Sequence, residues 1–179
     1  MKKTILILAT VVLGFTGISQ DFYHGAGAQM YVGLFETPSS SITGGSTEVL
    51  PIPGAFYKAT LDFDEVFALS AYPFVGLAFQ ADAATGTGGG YFGAGVPVLI
   101  EKYFGDVDDE CFYIGVGAEA AFVTATGFES GLVVGPTAGV GGQFYFRDNL
   151  VGIRAAYTFG VNKGNPMGIM GGIYYMFGQ

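Results

Sequence analysis

Lys58, Asp62, Glu101, Glu119 and Arg154 are ionic side chains of both signs set among glycines, alanines and aromatic residues. Acid and base in such company could pair as a structural core or line a narrow ion path. Charge removed from water must be paired or solvated. The reading adopted is therefore a polar core network in which Lys58 and Arg154 are neutralised by Glu119 and its neighbours. The remaining chemistry-bearing groups carry less. Asp106-Val107-Asp108-Asp109-Glu110 crowds carboxylates as a Ca²⁺ site would, but it lacks the glycine and distal bidentate glutamate of an EF-hand loop, and reads as a solvated turn. Gly86-Thr87-Gly88-Gly89-Gly90 lacks the Lys-Ser/Thr ending and following helix of a phosphate loop, and reads as an external loop. The sole histidine, His24, has no serine or acid that chain order would pair with it, and the sole cysteine, Cys111, cannot close an internal disulfide. No catalytic residue, cofactor or metal ligand is expected, and the chain does not read as an enzyme.

The elements that must position these charges show themselves between Gly131 and Val161. Leu132, Val134, Pro136, Ala138, Val140, Gly142, Phe144 and Phe146 alternate with Val133, Gly135, Thr137, Gly139, Gly141, Gln143 and Tyr145. After Arg147-Asp148, the set Val151, Ile153, Ala155, Tyr157, Phe159 and Val161 alternates with Leu150, Gly152, Arg154, Ala156, Thr158 and Gly160. A period of two is a β period. The charge shares its face with the glycines, while the opposite face is a nearly continuous apolar and aromatic band. A half-buried soluble strand does the reverse. The pattern suits a membrane β-barrel with Val140, Phe144, Ile153, Tyr157 and Phe159 facing lipid and a small polar interior. Glu119 falls on the glycine face of Phe112–Thr124, Glu101 on that of Gly90–Phe104, and Lys58 and Asp62 alternate with Tyr57, Ala59, Leu61 and Phe63. Lys102 is the exception, near a strand end where a long side chain can reach the interface.

The alternation predicts strands over Tyr23–Glu36, Ala55–Phe63, Val66–Gln80, Gly90–Phe104, Phe112–Thr124, Gly131–Phe146, Asn149–Val161 and Met167–Phe177. Most reach the roughly 9–11 residues that a tilted membrane strand needs. Asp64-Glu65, Gly105–Cys111 and Arg147-Asp148 read as short periplasmic turns. Thr37–Gly54, Ala81–Gly89, Ala125–Ser130 and Asn162–Pro166 read as external loops. Pro73, Pro97 and Pro136 fall inside proposed strands, where each removes a ladder donor that lipid cannot replace, so bulges or strand ends are expected there.

Composition agrees. Charged residues make up 12% of the 179-residue chain, Gly numbers 31 and Trp is absent, whereas soluble domains carry about 25% charge. Residues 1–19 read as a signal peptide: Lys2-Lys3, then an apolar run over Ile5–Phe15, then Gly17-Ile18-Ser19 before a cleavage point at Gln20. Residues 20–179 would then form one barrel domain with five basic and 15 acidic residues, a net charge of −10 that argues against nucleic acid as a partner.

The Lys-Lys leader, eight alternating strands, short turns on one side and the aromatic last strand GIMGGIYYMF together resemble the small outer-membrane β-barrel proteins of Gram-negative bacteria, of the OmpA and OmpX type. The resemblance implies an all-β, eight-stranded antiparallel up-and-down transmembrane barrel in the outer membrane. Its partners would be outer-membrane lipid and the barrel insertion machinery, which in such proteins reads a terminal aromatic residue, whereas here Gly178 and Gln179 follow Phe177. The expected role is structural or surface-interacting, with the Ser/Thr-rich segment 37–54 as the candidate contact for an external ligand or surface. The alternatives are a narrow pore or transport protein, and a secreted soluble lipocalin-like barrel that would show the opposite parity.

Overall fold

Alternating residues build strands at every regular position of the computed structural model, which describes residues 21–36, 47–63, 66–81, 88–125, 130–162 and 166–178. The strands are β1 (Phe22–Glu36), β2 (Thr47–Asp62), β3 (Phe67–Ala71), β4 (Phe74–Ala81), β5 (Gly88–Phe104), β6 (Cys111–Ala125), β7 (Gly131–Phe146), β8 (Asn149–Phe159) and β9 (Met167–Gly178). The pairing is antiparallel throughout, and β1 pairs with both β2 and β9, which closes the sheet into a barrel. β3 and β4 are two halves of one stave, since each pairs with β2 on one side and β5 on the other. The nine segments therefore make an eight-stranded, up-and-down wall.

The faces follow the sequence parity. Along β8, Leu150, Gly152, Arg154, Ala156 and Thr158 are buried while Ile153, Ala155, Tyr157 and Phe159 are exposed. Val140, Phe144, Ile153, Tyr157 and Phe159 are between 42% and 51% exposed, whereas Lys58, Glu101, Glu119 and Arg154 are no more than 5% exposed. A barrel of eight strands is just wide enough for side chains to fill. Here Tyr31, Tyr72, Tyr103, Tyr113 and Lys58 are the largest fully enclosed groups. Room for two of the rings comes from glycine. A Cβ on Gly141 would collide with the Tyr113 ring at Cζ, and one on Gly152 would collide with the Tyr174 ring at the same atom. Lys102 is exposed on the outer face, with its ammonium 5.8 Å from the Phe67 ring centre and 5.5 Å from that of Phe104.

Three sequence expectations change. The second strand begins at Thr47 and not at Ala55, so the segment between β1 and β2 spans residues 37–46, outside the described residues. Pro51 and Pro53 look like loop residues, yet they sit in β2 opposite Val32 and Met30 of β1. The Tyr57 N–H donates to Pro73 O at 3.0 Å, which directs the odd positions of β2 toward β4. Pro51 and Pro53 therefore lose their donors on that edge, and the β2–β4 ladder stops at Gly54 opposite Gly76.

The stave expected over Val66–Gln80 is broken at Tyr72-Pro73, a strand end as anticipated. Pro97 and Pro136 are not at bulges but inside continuous strands. Pro97 O accepts from Tyr72 N at 2.9 Å, so its nitrogen faces the break between β3 and β4. Val161 N donates to Val134 O at 2.8 Å, so Pro136, of the same parity, faces β8 just past the last β7–β8 pair, Thr137 with Thr158. Pro97 thus falls at the break in the neighbouring stave, whereas Pro136 leaves a gap of one bond between the Thr137–Thr158 pair and the Val161–Val134 bond.

Candidate functional site

The buried charges converge through tyrosines. Near the barrel end that carries Phe22 and Gly178, β2 turns Lys58 inward and β5 turns Glu101 inward, each by the parity that puts glycine on the same face. Lys58 Nζ donates to Tyr103 Oη at 3.0 Å, Gln143 Oε1 at 3.0 Å and Tyr174 Oη at 3.3 Å. An ammonium has three protons, so this one is fully used. Ring faces add to it: Nζ lies 4.7 Å from the centre of Tyr113 and 4.8 Å from that of Tyr174. Tyr103 relays the charge, because its hydroxyl accepts from Lys58 and donates to Glu101 Oε2 at 2.8 Å. Glu101 also accepts from Ser70 at 2.6 Å and from Tyr72 at 2.5 Å.

Arg154 packs on one of the groups that bind this carboxylate. Its guanidinium carbon lies 3.6 Å from the centre of the Tyr72 ring, whose hydroxyl is bound to Glu101. Arg154 Nη1 also contacts Met170 Sδ at 3.2 Å. Lys58 is thus relayed to Glu101 and not to Glu119, while Arg154 acts electrostatically on Glu119, as the sequence suggested. Glu119 accepts from Thr158, which is bonded to Thr137 at 2.8 Å on β7. Among the described residues, Glu119 Oε1 and Arg154 Nη2 are buried without a hydrogen-bond partner.

The sequence-derived residues are thus distributed over several levels. Lys58 and Glu101 meet in one cluster; Arg154 stacks above it, and Glu119 binds the β7–β8 pair. Asp62, the last residue of β2, is half-buried at the mouth, where its N–H donates to Asp21 O at 3.0 Å. Tyr72, Tyr103, Tyr113, Tyr174, Gln143 and Ser70 belong to the network and were missed. All but Tyr72, which lies at the break between β3 and β4, share the inward parity of their strands, which was the available signal.

The acidic turn departs from a purely solvated one. Val107 is 2% exposed and folds under the barrel mouth, where its carbonyl accepts from Gln143 Nε2 at 2.8 Å. Glu110 Oε1 accepts from Tyr145 N at 3.0 Å, and Asp109 Oδ1 from Glu110 N at 2.7 Å. The carboxylates bind backbone donors and do not converge on one point; among the described residues no group of three potential metal ligands forms. His24 lies in an aromatic cluster on the outer wall, 4.7 Å from the Phe177 ring, with Nδ1 2.9 Å from Tyr57 Oη.

The inward side chains bond one stave to another across the interior, Lys58 of β2 to Tyr103 of β5 and to Tyr174 of β9. Comparison with known proteins agrees on the fold. No family model matches the chain, and no curated protein sequence does. Among solved structures it is similar to the outer membrane protein OprG from Pseudomonas aeruginosa, at 12% identity and a TM-score of 0.57, covering 90% of this chain and 97% of that one. It is also similar to Neisserial surface protein A (NspA), at 15% identity and a TM-score of 0.54, covering 89% and 99%. The fold is that of the small eight-stranded outer-membrane β-barrels.

Proposed function

We propose that the chain is an integral outer-membrane β-barrel protein, exported by residues 1–19 and inserted by the barrel machinery, with a structural or surface-interaction role and no catalytic one. The observation that carries this reading is the inverted section of the wall. Val116 is 66% exposed, Ile173 60% and Ile153 51%, while Lys58, Glu101, Glu119 and Arg154 are enclosed. In water that arrangement would leave a continuous apolar belt exposed. In lipid it places these four charges inside and the backbone ladders within the wall. The rim supports it, since Phe22, His24, Tyr57 and Phe177 cluster on the outer face at one end, at the level where membrane proteins place amphipathic rings. External contact with a ligand or surface would fall to the segments between staves, chiefly residues 37–46.

A second reading, a narrow transport path, has one observation in its favour: β2 and β4 share only the pairs from Gly54–Gly76 to Phe56–Phe74, so their seam is short. Two measurements separate the possibilities. Detergent-extracted protein should migrate differently before and after boiling, and an unchanged mobility would remove the membrane barrel. In planar bilayers the wild type and Glu119→Ala should both conduct near background, with Glu119→Ala losing about 1–3 kcal/mol of stability. A large conductance gained or lost on that change would favour the transport path.

A further inference from the structure

At the barrel end that carries Phe22 and Phe177 there is a cavity of about 410 Å³, lined by Tyr23, Tyr145, Tyr175, Asp108, Asp148 and Asn149 together with apolar side chains. Its origin is a parting of two strands. The β8–β9 ladder reaches Val151 opposite Tyr175 and ends there, although β8 begins at Asn149 and β9 continues to Gly178. On the other side of β9 the register with β1 slips between His24 and Gly25. A side-chain hydrogen bond still links the two strands at this gap. Tyr175 Oη donates to Asn149 Oδ1 at 3.0 Å, and Asn149 Nδ2 donates to Arg147 O at 2.9 Å.

The lining is aromatic and acidic, with no basic side chain among its described residues. Arg147, in the adjoining turn, lies against the Phe146 ring with its guanidinium carbon 5.6 Å from the centre. Asp21, Asp62, Asp106 and Asp108 all stand near enough to act electrostatically on the Tyr23 hydroxyl. Tyr145 and Tyr175 remain 49% and 43% exposed, so both rings are accessible. Tyrosine faces attract cations, carboxylates bind N–H donors of a cation strongly, and the volume falls within the range of small-ligand sites.

We propose that this cavity binds an organic cation, a primary ammonium or guanidinium on a short aliphatic stem of the kind that lysine and arginine side chains present. The stem would lie along Leu150 and Met176, and the head would sit among Tyr145, Tyr175 and the carboxylates of Asp108 and Asp148. This site is separate from the core network, and its failure would leave the membrane reading untouched.

The test uses the folded full chain in detergent micelles with ¹³C-labelled tyrosine rings. Nα-acetyl-lysinamide is titrated against Nα-acetyl-norleucinamide, which keeps the stem and removes the charge. Saturable shifts should be confined to Tyr23, Tyr145 and Tyr175, and the norleucine compound should bind at least about tenfold more weakly. Asp108→Asn with Asp148→Asn should weaken lysinamide about tenfold while leaving heat-modifiable migration unchanged. Asparagine suits position 148, where φ is 64°. Should that pair of changes impair folding, Tyr145→Leu removes one ring and should weaken binding severalfold. Trilysine amide distinguishes the sources, with equal affinity pointing to a free amine and tighter binding to a basic peptide. Shifts spread over all tyrosines, equal binding of the norleucine compound, or affinity unchanged by these substitutions would overturn the proposal.

Discussion

Replacing Lys58 by methionine tests the polar core most directly, because it removes the charge while nearly preserving the stem. The variant loses three hydrogen bonds, to Tyr103, Gln143 and Tyr174. Summing them at about 1.5–3 kcal/mol each would overstate the cost, since the acceptors share one network. Most of the loss comes from the group left behind: Glu101, 1% exposed, is deprived of its relayed cation and becomes an enclosed carboxylate bonded to the Ser70, Tyr72 and Tyr103 hydroxyls. Breaking a buried pair from one side costs about 3–5 kcal/mol, whereas neutralising both partners is often close to neutral. Lys58→Met should therefore lose about 3–5 kcal/mol, a large share of the roughly 5–15 kcal/mol that holds a typical domain.

Adding Glu101→Gln should restore at least about 2 kcal/mol of the summed single losses, within the usual range of coupling between contacting residues. The assay is urea unfolding and refolding in micelles, followed by far-UV circular dichroism and by heat-modifiable migration, since the chain contains no tryptophan. A loss below about 1 kcal/mol for Lys58→Met would refute the reasoning. So would single effects that add to within about 0.5 kcal/mol, which is how independent sites behave.

Two further outcomes follow from the wall. Gly152→Ala should destabilise by about 1–3 kcal/mol in the same assay, because its methyl would displace the Tyr174 ring and with it a partner of Lys58. Gly171→Ala, whose nearest neighbour would be 4.0 Å away, should change stability by less than about 0.5 kcal/mol. On the outer face, Ile153→Arg should cost about 2–4 kcal/mol in lipid vesicles, and Val161→Arg, beyond the end of β8, about 0–1 kcal/mol. Equal costs at the two positions would mean that the exposed belt does not sit in hydrocarbon.

Side-chain parity was legible from residues alone because it needs nothing beyond the neighbouring positions. Gly131–Phe146 was bounded correctly from alternation, since the chain does not turn until Arg147 and Asp148 take up φ values of 50° and 64°. β2 was cut short for a physical reason. Proline is a loop signal when nothing is known of its neighbours, and it becomes acceptable in a strand where the partner on its nitrogen side has already left. Pro51 and Pro53 satisfy that condition, Pro97 faces the break between β3 and β4, and Pro136 costs one bond within the β7–β8 seam. The condition depends on register, and register is a relation between strands.

The same limit hid the tyrosines. Parity tells that Tyr103, Tyr113 and Tyr174 face the axis, but not that they meet Lys58, which lies 45 positions from Tyr103 and 116 from Tyr174. Register supplies the missing height, and it also shows why the interior needs so much glycine. Tyr113 is paired directly with Gly141, and Tyr174 directly with Gly152. In each pair a ring lies across the strand in the space that a Cβ would have taken. At these two places the narrow barrel holds an aromatic ring flat against its wall because the residue opposite has no side chain. The glycines at 141 and 152 are therefore the counterpart of the Tyr113 and Tyr174 rings, which in turn flank the Lys58 ammonium.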